Sequence, residues 1–151
     1  MKKVTFRFVA AHTPVSWLIR LFTWSRYSHV EVMVDKGWLG ASWGGVKIRP
    51  YGYYRASSVR AVTVEMEDKD YGRMMDWLYN QVGKPYDFMA VIGIVFRRNW
   101  RSENKWFCSE LVARAFEVGD KPLIRADHVS RVTPAMLDLS TLAETLGCMG
   151  G

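Results

Sequence analysis

SHVEVMV, residues 28–34, is the stretch on which the reading of the fold turns. It is short, rich in β-branched residues, and alternates. Val30, Val32 and Val34 fall on one side, and His29, Glu31 and Met33 on the other. A strand with one apolar face needs a core to cover that face, so the segment predicts a sheet packed on one side. Asp35-Lys36-Gly37 follows as a turn, and Trp38 to Ile48 is expected to return as a second strand, loosened by Gly40, Gly44 and Gly45. Upstream, Val4 to Ala10 alternates and reads as a strand. Downstream, Val59 to Met66 does the same.

The period then changes. Pro14 fits the first turn of a short helix with Thr13 as its N-cap and Val15, Leu18, Ile19 and Phe22 on one face. Asp70 to Val82 places Tyr71, Met74, Met75, Leu78 and Val82 on one helical face, and Gly83 ends it. Pro85 and Asp87 mark a turn before the apolar run Phe88 to Phe96, expected in the core. Arg97 to Lys105 is a basic connection. Phe107 to Val118 reads as a buried helix with Cys108 in its first turn, and Thr133-Pro134 opens a last helix running to about Leu146. The fold class that follows is α+β: a small antiparallel sheet early in the chain, helices mostly late.

Composition agrees. At 151 residues, 49% apolar and 24% charged, the chain suits one domain over residues 1–151. Such a length can bury roughly 68–70% of the unfolded surface, enough for a core without metals or disulfides. Wholesale disorder and repetitive architectures are excluded. The balance of 21 basic against 15 acidic residues gives +6, which favours an anionic polymer or a membrane surface as partner. A nucleic-acid role ranks below these. The longest apolar run has nine residues, Phe88 to Phe96, short of the ~18–20 that span a bilayer. Arg7 and His12 interrupt the N-terminal stretch, so a cleaved signal peptide is not expected and a cytoplasmic location is.

Two cysteines, Cys108 and Cys148, are too few for a disulfide framework. A free thiol with pKa ~8.5 is mostly protonated at neutral pH. The N–H groups at a helix start favour its anion and can hold a developing oxyanion. Cys108 has that position; Cys148, near the C-terminus, is expected to be unpaired and dispensable. A thiol nucleophile needs a base, and His29, at the head of its strand, can face a cleft. His12 and His128 sit in loop-like surroundings and read as structural. No HExxH, CxxC, P-loop or GxSxG pattern is present, so neither a metal nor a cofactor is expected.

Five pieces, RYSHVEVMV, the following hairpin, GKPYDF, WFCSELVARAF and VTPAMLDL, cover about residues 28–139. In that order they resemble the circularly permuted branch of the NlpC-like, papain-fold cysteine peptidases and amidases, which includes the lecithin–retinol acyltransferase-like proteins. The separation, 108 − 29 = 79 residues, suits that arrangement. The resemblance implies a permuted papain-like fold, with Cys108 as nucleophile, His29 as base and Tyr86 near the site. The family sets a polar residue, often Glu, on the next strand to orient the histidine. Here WLGASWGG occupies that place, and Ser42 is its polar side chain, so Ser42 is the expected third member. A water, a backbone carbonyl and Glu31 are the alternatives.

The expected activity is a cysteine hydrolase or acyltransferase that cleaves an amide or ester through a thioester. The resemblance implies a peptide, peptidoglycan or lipid-like substrate and a bacterial or phage origin. The competing reading is a catalytically weak or inactive binding module on the same fold. It would use a basic, aromatic-lined cleft and have no acidic partner for His29.

Overall fold

A computed structural model describes residues 1–10, 14–23, 27–53, 58–87, 105–124 and 133–138. These residues hold five strands: β1 (Lys2–Ala10), β2 (His29–Val34), β3 (Gly37–Ser42), β4 (Gly45–Arg49) and β5 (Ser58–Met66). They form one sheet in the order β4-β3-β2-β1-β5, and every neighbouring pair is antiparallel. Among the described residues, four helices accompany it: α1 (Pro14–Thr23), α2 (Asp68–Gln81), α3 (Cys108–Val118) and α4 (Pro134–Asp138). The chain is therefore α+β, with an antiparallel sheet against helices.

Register sorts the side chains. Phe6 pairs with Val32 and Val62, Val4 with Val64, and Val32 with Leu39, so these apolar residues line one face. They are buried together with Met74 and Leu78 of α2 and Leu111, Val112 and Phe116 of α3. Phe6 meets Phe116 edge to face, ring centroids 5.2 Å apart. Arg7 pairs with Glu31 and Trp38 with Arg49, so the opposite face of the sheet carries charge.

The expected single strand from Trp38 to Ile48 is instead two. The chain turns at Trp43-Gly44, and β3 and β4 pair from Trp38↔Arg49 to Ser42↔Gly45. Gly44 and Gly45 take φ of +90° and +101°, conformations that side chains with a Cβ resist. What reads in sequence as loosening by glycine is the turn itself.

One chain of contacts carries the backbone from this hairpin to Cys108. Val46 N–H donates to the Lys84 carbonyl and Gly83 N–H to the Val46 carbonyl, both at 2.9 Å. A Cβ on Gly45 would lie 2.7 Å from the Lys84 oxygen, so the close approach itself requires glycine. Tyr86 then forms a parallel bridge with Trp106, two residues before Cys108. Helix α3 starts there and packs against α2, β2 and β3. At α4, Met136 N–H donates to Thr133 Oγ1 at 3.3 Å, so Thr133 caps that helix.

The Phe88–Phe96 run, Arg97, Arg98, Arg101, His12, His128, Cys148 and the chain beyond Asp138 lie outside the described residues. Among the described residues, no helix is long and apolar enough to cross a membrane.

Candidate active site

His29 is the first residue of β2 because β1 ends opposite it: Val9 pairs with His29 in the register that sets Arg7 against Glu31. The start of α3 arrives at the same end of the sheet. Cys108 Sγ lies 3.9 Å from the carbonyl oxygen of Ser28, the residue before His29. The thiol also hydrogen-bonds the His29 side chain. Cys108 is a free thiol and only 1% exposed.

Ser28 is itself held in place. Its hydroxyl donates to the Val9 carbonyl at 3.5 Å and bonds the Ser16 hydroxyl of α1. The N-terminus of α3 has no side-chain cap; Phe107 occupies the cap position in an extended conformation. No side chain caps the first turn of the helix that Cys108 opens.

His29 Nε2 lies 3.1 Å from Glu31 Oε1. With that nitrogen engaged, Nδ1 is the one that remains for the thiol proton. Glu31 is fully buried, and its other oxygen, Oε2, accepts from Arg7 Nε at 3.1 Å and Arg7 Nη2 at 2.9 Å. Arg49 Nη1 stands 3.8 Å from Oε1, within ion-pair reach and beyond a hydrogen bond. The Arg7 guanidinium lies over the Trp38 ring, 4.1 Å from its centroid.

These contacts set the charges. Burial alone would push the His29 pKa down, since a dry site disfavours imidazolium. Hydrogen bonds to Cys108 and Glu31, and the charges on both, overcome it and push the pKa up from 6.5 to about 9. Burial would push Glu31 up; its bonds to His29 and Arg7 win and hold it below its usual 4.5. Tyr86 lies beside this group, its ring centroid 6.2 Å from that of Phe107. Its hydroxyl pKa is pushed well above 10, first by burial and then by the charge on Cys108, so it stays protonated.

The structure thus brings His29 and Cys108 together and sets Glu31 on the imidazole. Ser42, at the far end of β3, accepts a hydrogen bond from Arg49 Nη2. Gly40, also in the WLGASWGG stretch, lies against Glu31. Three participants escaped the sequence reading: Arg7, Arg49 and Gly40. Arg7 carried the one available signal, a full charge inside the apolar strand VTFRFVA.

No group of three or more His, Cys, Asp or Glu side chains among the described residues is arranged to hold a metal ion. At the site itself, both Glu31 oxygens are already engaged, by His29 and by Arg7.

No protein-family model matches the chain, and no curated protein matches it. Among solved structures it is similar to the metalloprotein yiiX from Escherichia coli O157:H7, described as DUF1105. That likeness has a TM-score of 0.72 and 18% identity, and it covers 99% of this chain and 96% of that one. At this identity the likeness shows the fold. It also corrects the expected membership of the permuted NlpC-like, papain-fold family and its acyltransferase-like branch: a solved structure similar to this chain is a DUF1105 protein, and no family model supports the assignment. A histidine heading a strand and a cysteine heading a helix are local features. A sheet-and-helix fold can bring them together in more than one family, so their order does not fix ancestry.

Proposed function

We propose that the chain is an enzyme of acyl transfer, a cysteine hydrolase or acyltransferase acting on an amide or ester. The observation that carries this reading is the series Glu31–His29–Cys108 at the start of α3. At neutral pH the thiol's proton already rests on His29, whose raised pKa keeps the imidazole protonated, and the sulfur attacks a carbonyl carbon. The oxyanion that forms accepts from N–H groups at the helix start. The imidazolium, held by Glu31, then returns its proton to the departing amine or alcohol, leaving a thioester on Cys108. Water or a second acceptor, deprotonated by His29, attacks that thioester and releases the thiol.

The similar solved structure is that of a metalloprotein. Among the described residues of this chain no group of three or more His, Cys, Asp or Glu side chains is arranged to hold a metal. The binding-module reading rested on the lack of an acidic partner for His29. A buried carboxylate at 3.1 Å removes that motive.

The test is acylation by p-nitrophenyl acetate, read by peptide mass spectrometry. Acetylation at Cys108 that is lost in Cys108→Ala and slowed in His29→Gln is the expected result. Equal labelling of lysines and no acetyl-Cys108 would sink the proposal.

A further inference from the structure

We propose that Arg7 is a positioning residue: its guanidinium grips Oε2 of Glu31 and thereby aims Oε1 at His29. The inference deepens the acyl-transfer reading and rests on it. A carboxylate that meets only one histidine is free to swing about its last torsion. Here the swing is blocked, because Nε and Nη2 of Arg7 both donate to the oxygen that His29 does not use. Two donors on one rigid fork fix a direction that a single ammonium does not.

Arg7 is itself held tightly. It lies on β1, directly opposite Glu31 in the register, with strands on both sides. The Trp38 ring lies under its guanidinium at 4.1 Å, and the residue is buried. Arg49, by contrast, reaches Oε1 only at 3.8 Å and commits its Nη2 to Ser42, so it supplies charge with little aim.

The charged surroundings make the idea testable by sign. Glu31 is faced by Arg7 from β1, His29 on its own strand and Arg49 from β4. His29 is faced by Glu31 and by Cys108 from α3; Tyr86 adjoins Cys108, and Asp87 adjoins Tyr86. Arg7 is a cation, as imidazolium is, so its direct field on His29 opposes protonation. If Arg7 acted through charge alone, removing it would raise the affinity of His29 for its proton. If it acts by aiming Glu31, removing it lowers that affinity.

The experiment is an NMR pH titration of the imidazole nitrogens in the full chain, with His29 identified by the signal lost in His29→Gln. In Arg7→Met the His29 midpoint should fall by ~1 pH unit, a tenfold loss of proton affinity. Arg7→Lys, with its charge kept and its fork lost, should fall by about a third as much on a logarithmic scale. An unmoved or raised midpoint in a folded Arg7→Met overturns the proposal, even if the melting temperature drops. Should Arg7→Met fail to fold, Arg7→Lys decides by the same criterion. Glu31→Gln separates the two levels of the argument. A fall there with none at Arg7 removes only the role of Arg7. A wild-type midpoint near 6.5, unmoved by Glu31→Gln, removes the acyl-transfer site itself.

Discussion

Gly40 leaves the space that Glu31 fills: a Cβ built on Gly40 would stand 3.0 Å from Glu31 Cγ and 3.4 Å from the Val30 carbonyl oxygen. A carboxylate on the histidine's own strand thus needs a glycine on the neighbouring one. Gly40→Ala should displace Glu31 from His29 and slow acetylation of Cys108 about tenfold, or ~1.4 kcal/mol of barrier. Rate measurement by mass spectrometry checks it; an unchanged rate with an intact fold refutes it.

Glu31→Gln and Ser42→Ala should differ sharply. The amide keeps the shape of Glu31 and loses the charge that stabilises imidazolium, so acetylation should fall by at least ~10²-fold. Ser42→Ala removes an acceptor from Arg49, one step further away, and should cost less than about threefold. Equal losses in the two variants would return Ser42 to the role of orienter.

Stability should depend on pH through His29. Its pKa is raised in the folded state to about 9 from 6.5, so the folded protein holds the proton more tightly. That contribution is fully present below about 6.5 and is lost as pH rises through about 9. Glu31 works in the other direction: its pKa is lowered, so its share is present above 4.5 and fades as pH falls through the folded value. Urea unfolding from pH 6 to 10 should show a decline that His29→Gln flattens. A wild-type curve level across that range would contradict the assignment.

Phe116 anchors α3 to the sheet through Phe6, and neither ring is exposed. Phe116→Ala should cost about 3–5 kcal/mol by the lost transfer energy and the cavity left behind. Chemical denaturation measures it. A loss under ~1 kcal/mol would mean the helix is held by other contacts.

Periodicity made most of the architecture legible. Alternation in VRAVTVEM and SHVEVMV gives β5 and β2, and the spacing of Met74, Met75 and Leu78 gives the buried face of α2. The β3–β4 hairpin is hidden because its turn residues, Trp43 and Gly44, sit inside a run of apolar and glycine residues broken only by the small polar Ser42. His29 and Cys108 could be singled out by local position, one heading a strand and one heading a helix. Arg7, Arg49 and Gly40 could not, because their importance lies in cross-strand register. Which residue faces Glu31 is decided by pairing between segments 24 residues apart in Arg7 and Glu31, and no local pattern encodes that.

The placement of β1 has a consequence for biosynthesis. Of the five strands it is made before the others, yet in the finished sheet it lies between β2 and β5, paired with β5 along its whole length from Lys2↔Met66 to Ala10↔Ser58. On the ribosome, β1 emerges with one flank closed early by β2 and the other bare until residue 66 is available. During that interval it offers an apolar, unpaired edge to any neighbouring nascent chain. Crowded polysomes, where nascent chains lie side by side, bring such edges together. A chain released before β5 would lack the strand that closes that edge.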